Sequence, residues 1–275
     1  MDIREQHISV RDTVLNVAVS GAGPPVVLLH GFPHTWQVWT PVIEALSVTH
    51  QVLAPDLRGL GASGPGRTGY DAGQIAADVI ALLDSQRVDR ADLVGLDLGV
   101  VPVLLAALTT PERVRRLVVM EGLAGSLPGA EDFVTGGPPW WFGFHAVPGF
   151  AEQVLAGHAV EYVDFFLRLG TRGRGVDPIA RDAIARTYGA PAGLARAFEH
   201  YRALPASSDQ LTTAAGARLR IPTMAIGAQP VGRALEHQLA TIADDLTGHL
   251  IEDCGHIIPQ DRPDALTALL VPFLR

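Results

Sequence analysis

Short β-branched runs alternate with helical patterns along most of this 275-residue chain, and few architectures satisfy that alternation. A strand that passes through a helix before the next strand returns parallel to the first. The pattern therefore predicts an α/β fold with a mostly parallel central sheet flanked by helices. Strands are expected at residues 13–19, 26–30, 51–54, 92–96, 114–120, 222–226 and 249–251, and helices at 73–86, 99–108, 232–243 and 263–274. Pro102 falls in the first turn of the second of these helices, where a missing N–H costs little.

The rhythm stops near Gly122 and resumes near Arg218. A long stretch rich in Gly, Pro, aromatic residues and helix formers, inserted after one sheet strand, reads as a lid over the carboxyl ends of the strands. Open α/β sheets place their ligand crevice at those ends. The expected organisation is a core at 1–122, a helical lid at 123–217 and the rest of the core at 218–275. Thr171–Gly175 is expected to be an exposed loop.

Hydrophobic residues make up 48% of the chain, enough for the core of one large domain. The net charge of −8, without any basic stretch, argues against binding nucleic acid or an anionic membrane. Every basic residue is arginine, so Schiff-base chemistry and a lysine base are excluded. Cys254 is the lone cysteine, which rules out an intrachain disulfide. The N-terminus lacks a signal-type apolar segment, and the longest apolar run, Val100 to Leu108, is about half of a roughly 20-residue membrane span. These features predict a soluble, cytoplasmic protein with a small-molecule substrate and neither metal nor cofactor. Oligomeric state is left open, a homodimer included.

Val94-Gly95-Leu96-Asp97-Leu98-Gly99 follows an apolar strand and opens a helix. Its spacing is that of a G-x-nucleophile-x-G elbow, with aspartate where serine usually stands. A carboxylate at a helix N-terminus is favoured in its ionised form and can attack carbon. Alone, the motif fits a helix-capping aspartate equally well. Three companions decide in favour of chemistry. His30-Gly31-Phe32-Pro33 follows a strand, and the backbone N–H groups of Phe32 and Leu98 can form an oxyanion hole. Asp56-Leu57-Arg58-Gly59-Leu60-Gly61-Ala62-Ser63 is a glycine-rich turn after the next strand. Cys254-Gly255-His256 places a histidine past the last strand by a glycine turn.

With these motifs the chain resembles the α/β-hydrolase superfamily, in particular its Asp-nucleophile branch of epoxide hydrolases and dehalogenases. The resemblance covers nearly the whole chain and is least specific in the lid. It implies that Asp97 displaces at carbon to give an alkyl-enzyme ester. Water activated by His256 then attacks the ester, with the oxyanion held by Phe32 and Leu98. The histidine needs a supporting carboxylate. In this superfamily that acid follows either the strand after the nucleophile helix or the next core strand. The later position, Ile226-Gly227-Ala228-Gln229-Pro230, has none; the earlier one offers Glu121. Asp253 is the competitor, expected along the last strand and pointing away, whereas Asp244 and Asp245 read as a solvated helix end.

The leaving group separates the two reactions. An epoxide oxygen needs a proton or strong donors, and the resemblance points to Tyr201 in Phe198-Glu199-His200-Tyr201 and to Trp140 and Trp141 in Pro138-Pro139-Trp140-Trp141. Two adjacent tryptophans can equally pack the lid against the core, and neighbours on a strand point oppositely. Haloalkane dehalogenases usually carry Trp after the nucleophile and Asn after His-Gly, where this chain has Leu98 and Phe32. Fluoroacetate dehalogenases carry arginines just after the nucleophile, and none stands here. Many epoxide hydrolases also have Trp where Leu98 stands. The expectation is epoxide hydrolysis to a vicinal diol on a hydrophobic, bulky substrate. Hydrolytic dehalogenation is the second reading, and a non-catalytic ligand-binding protein on the same scaffold the third.

Overall fold

A parallel strand covered by helices on both faces is buried along its whole length, and Ala91–Leu96 is buried at every position, with its one charge, Asp92, paired with Arg115. In the computed structural model, which describes residues 2–275, it lies near the middle of an eight-stranded sheet. The strands are β1 (Arg4–Val10), β2 (Thr13–Ser20), β3 (Pro25–Leu29), β4 (Gln51–Pro55), β5 (Ala91–Leu96), β6 (Val114–Met120), β7 (Thr223–Gly227) and β8 (Leu246–Leu250). Their order across the sheet is β1-β2-β4-β3-β5-β6-β7-β8. The pairs β1–β2 and β2–β4 are antiparallel and the remainder parallel.

Register is what assembles the site. Leu29 pairs with Gly95, and Leu96 with Met120. The residues that leave β3, β5 and β6 therefore emerge side by side at one edge of the sheet. Helix Ala72–Ser85 starts at Asp71, whose carboxylate accepts the Gln74 N–H at 3.1 Å. Helix Val100–Thr109 is buried along most of its length and packs against it. Between β6 and β7 the chain forms helices Glu131–Val134, Trp140–Ala146, Phe150–Val154, Ala159–Gly170, Pro178–Gly189, Gly193–Arg202 and Leu204–Ala214. Pro178 begins its helix directly after Asp177, whose carboxylate accepts the Ile179 N–H at 2.8 Å. Among the described residues no helix is long and apolar enough to cross a membrane.

The structure corrects the sequence reading in two places. β1 has no expected counterpart, because its first four residues are exposed and carry no hydrophobic alternation. The last strand lies at Leu246–Leu250 and not at 249–251. It is an edge strand with no fully buried position, so hydrophobicity is a poor guide to its ends. Thr171–Gly175 is the exposed loop expected, with Arg172, Gly173 and Arg174 exposed, and it is anchored at its start. Thr171 is buried, donates its hydroxyl to the Leu167 carbonyl at 2.7 Å and accepts the Gly175 N–H at 2.8 Å.

Candidate active site

The elbow forms because two backbones approach too closely for any side chain. A Cβ on Gly95 would lie 2.5 Å from the Gly99 carbonyl oxygen, and one on Gly99 would lie 2.6 Å from that of Leu29. Asp97, at the tip, takes a left-handed backbone with φ +54°, which projects its carboxylate above the edge of the sheet. Three groups close around that carboxylate. Phe32 donates its backbone N–H to Oδ1 at 2.8 Å. His256 Nε2 lies 3.2 Å from Oδ2. Gly31 passes so close that a Cβ there would sit 2.1 Å from Oδ1. Leu98, the second expected donor, lies beside Asp97 on the wall of the same cavity.

Glu121 leaves β6 with φ +44° and is fully buried. Its Oε2 is 3.2 Å from His256 Nδ1, and its Oε1 accepts the Ala228 N–H at 2.6 Å. The loop after β7 thus supplies the backbone donor that fixes the carboxylate, although it has no acid of its own. His256 lies between two carboxylates, one at each ring nitrogen. Burial opposes its charge, but the hydrogen bonds and charges of Asp97 and Glu121 prevail and raise it from 6.5 to about 10. Burial likewise pushes Asp97 toward its neutral form. His256 and the Phe32 N–H outweigh that push and hold the carboxyl below its ordinary value.

The competitor acid is elsewhere. Asp253 sits in the turn after β8, not along the strand; it is largely exposed and paired with Arg172, Arg174 and Arg262. Asp244 pairs with Arg218 at the surface.

Asp97, Glu121 and His256 open onto a cavity of about 970 Å³ whose wall is mostly apolar. Tyr201 and Trp141 line it. Tyr201 is buried, burial raises its phenol well above the ordinary range, and among the described residues no hydrogen-bond partner engages its hydroxyl. Trp140 does not share the expected role. It is 57% exposed and packs edge-on against Trp141, outside the cavity wall. The pair opens helix Trp140–Ala146, where neighbours diverge by about 100° and do not alternate as on a strand.

Two further histidines, absent from the sequence reading, border this site. His145 is buried with its ring centroid 4.3 Å from that of Tyr201, and its Nε2 lies 2.7 Å from the Tyr162 hydroxyl. Burial lowers its pKa to about 3, so it is a neutral imidazole. Its position four residues after Trp141 is the available signal, since that spacing puts both on one helix face. His34 is also buried against the cavity, and burial lowers it to about 3. Neither of its ring nitrogens has a partner among the described residues.

Comparisons with known proteins bear on the family of the fold. The family model described as alpha/beta hydrolase fold matches residues 24–263, a span that contains Phe32, Asp97, Glu121, Tyr201 and His256. The soluble epoxide hydrolase of Corynebacterium sp. (strain C12) is 26% identical over 99% of this chain and 97% of its own length. Epoxide hydrolase A of Mycobacterium tuberculosis (strain ATCC 25618 / H37Rv) is 28% identical over 96% of this chain and 94% of its own. The crystal structure of Cfl2 from Burkholderia cenocepacia superposes with a TM-score of 0.89 at 29% identity, covering 99% of this chain and 96% of that one. With the elbow, the sheet order and the family match in agreement, the chain belongs to the alpha/beta hydrolase fold family and is a hydrolase.

Proposed function

We propose that this hydrolase opens epoxides to vicinal diols through a covalent ester on Asp97. The observation that carries the reading is the placement of the Asp97 carboxylate. One oxygen is held by the Phe32 N–H at 2.8 Å, and the other faces both the cavity and His256. Residues 123–217 act as the lid and supply Tyr201 and Trp141, while 1–122 and 218–275 supply the remaining groups. Asp97 Oδ2 attacks an epoxide carbon as the C–O bond breaks, and the Tyr201 hydroxyl gives its proton to the departing oxygen. Oδ1, which accepts the Phe32 N–H, already occupies the place where an oxyanion must be held, and the Leu98 N–H is the second donor that the tetrahedral intermediate would recruit.

Ester formation removes one of the two negative charges that hold the proton on His256. The imidazolium returns a proton to Tyr201 and becomes the base that the second step requires. Glu121 then steadies the cation that forms as His256 deprotonates water. Collapse of the tetrahedral intermediate breaks the acyl C–O bond, and His256 protonates the leaving diol oxygen. The proton left on the Asp97 carboxyl returns to His256 and restores the resting pair. The epoxide hydrolase names of full-length relatives favour this substrate, as does the free Tyr201 hydroxyl.

A single turnover of styrene oxide in heavy-oxygen water tests the proposal. The isotope is expected in the Asp97 carboxyl group, and Asp97→Asn should form no diol. Label found only in the diol during that first turnover would overturn it. Halide release from a haloalkane, with no diol from any epoxide, would select dehalogenation instead.

A further inference from the structure

Resting on the ester mechanism proposed above, we infer that His34 binds the hydrolytic water and turns its lone pair toward the acyl carbon of the Asp97 ester, while His256 takes the proton. His256 can accept that proton but does not by itself fix how the water is oriented. His34 is fully buried, lines the cavity of Asp97, and has no partner for either ring nitrogen among the described residues. An imidazole taken out of water without a hydrogen bond is costly, and a water held at the cavity wall removes that penalty. Other polar side chains of the wall are already engaged. Ser207 accepts the Ala72 N–H at 2.9 Å, and Gln229 accepts from Arg172.

The ring is well placed for this. His34 stands two residues after Phe32 in the loop that leaves β3, and its backbone is pinned on both sides. Its N–H donates to the Gly31 carbonyl at 3.0 Å, and its carbonyl accepts the Tyr188 hydroxyl at 2.9 Å. The loop that supplies an oxyanion donor therefore carries the imidazole as well. The ring centroid lies 6.2 Å from that of His256, with the two planes tilted by 35°. A water that donates to two ring nitrogens at about 2.8–2.9 Å holds them roughly 4.5 Å apart, a span that fits between these rings. Asp97 and then His256 are the charged groups that His34 feels most strongly, as a residue beside both partners of the second step should.

In the resting pair His256 Nε2 faces Asp97 Oδ2 at 3.2 Å. Once Oδ2 carries the alkyl group, that contact loses its charge and Nε2 is free to accept from water. Of the water's two hydrogens, one passes to His256 Nε2 as the oxygen attacks the acyl carbon. The other stays on the oxygen, hydrogen-bonded to the unprotonated nitrogen of His34, and the C–O bond to the diol breaks when the tetrahedral intermediate collapses. That holding role requires an acceptor. Burial lowers His34 to about 3, so near neutral pH one ring nitrogen keeps its lone pair. An imidazolium in its place would offer two donors and draw the water's lone pair away from the ester.

The test separates the two steps in the full chain, with styrene oxide as substrate and rapid-quench mass spectrometry to follow the adduct on Asp97. In His34→Leu, which keeps the bulk and removes the acceptor, alkylation should stay within about threefold of the parent. Ester hydrolysis should slow by on the order of 10²-fold, as expected when a reactant is left misplaced, and the adduct should accumulate. His34→Gln, whose amide oxygen can accept from water, should recover hydrolysis to within about tenfold of the parent. Unchanged ester hydrolysis in His34→Leu would overturn the inference. So would equal slowing of both steps, or a glutamine variant no faster than the leucine one, since either result marks a residue that only supports the loop. If the leucine variant does not fold, His34→Met, unbranched and able to fill irregular space, takes its place in the comparison. A parent that forms diol without any adduct on Asp97 would refute the ester mechanism, and the role of His34 with it, whereas an adduct that turns over normally in His34→Leu would refute the role of His34 alone.

Discussion

Replacing Glu121 by glutamine should stall the enzyme at its ester. The charge is lost 3.2 Å from His256 Nδ1 while the size of the side chain is kept. The amide oxygen of the variant would remain on the Ala228 N–H, which Glu121 now bonds at 2.6 Å, so the amide NH₂ would face the ring. That donor favours the tautomer with hydrogen on Nε2, the wrong one for accepting a proton from water. Charges about 4 Å apart at an effective dielectric of about 20 interact by ~4 kcal/mol. If the glutamine dipole and local relaxation recover up to half of this, the loss is ~2–4 kcal/mol, or about 30- to 1000-fold in ester hydrolysis. Alkylation, which needs no base, should slow much less. Rapid-quench mass spectrometry of the protein during turnover reads both steps, and most of the variant should carry the alkyl adduct. An unchanged kcat would refute the reasoning, as would a lowered kcat with no adduct accumulating.

Tyr201→Phe should lower the rate of ester formation from an epoxide by about 10²- to 10⁴-fold, because the alkoxide loses its proton source; single-turnover kinetics measure this. Trp140→Phe, at an exposed position, should change stability by no more than about 0.5 kcal/mol and leave kcat/KM near that of the parent. Trp141→Phe should reduce kcat/KM, and the two variants assayed side by side distinguish the cavity wall from the surface. His256 binds its proton more tightly when folded, up to about 10 against an ordinary 6.5. Its contribution to stability is therefore fully present below about pH 6.5 and lost as pH rises through about 10. Denaturant titrations across that window should show a decline that His256→Gln removes.

The parts of the molecule that could be read from the sequence are those set by neighbouring residues. The elbow is specified by glycines two positions either side of Asp97, and Glu121 by its place at a strand end, so both fall where expected. The segment between β6 and β7 is different. Whether Trp140 or Trp141 faces the cavity depends on the rotation of one short helix against its neighbours, and no local pattern encodes that. His145 is hidden because a buried histidine and a surface one look alike in sequence. β1 escapes because its partner β2, and not its own hydrophobicity, holds it in the sheet. The loop at Thr171–Gly175 is exposed as its composition suggests, but its tie from Arg174 to Asp261 joins residues more than eighty positions apart and has no local signal.

Asp97 and Glu121 both occupy the left-handed region that glycine prefers, and such a conformation costs a non-glycine residue of order 1–3 kcal/mol. Against typical net stabilities of about 5–15 kcal/mol, that is a substantial debt at two adjoining positions. A campaign that ranks variants by melting temperature alone would reward glycine at either one. Directed evolution of this scaffold for heat resistance therefore needs turnover as a simultaneous criterion, or it will select robust proteins that no longer react.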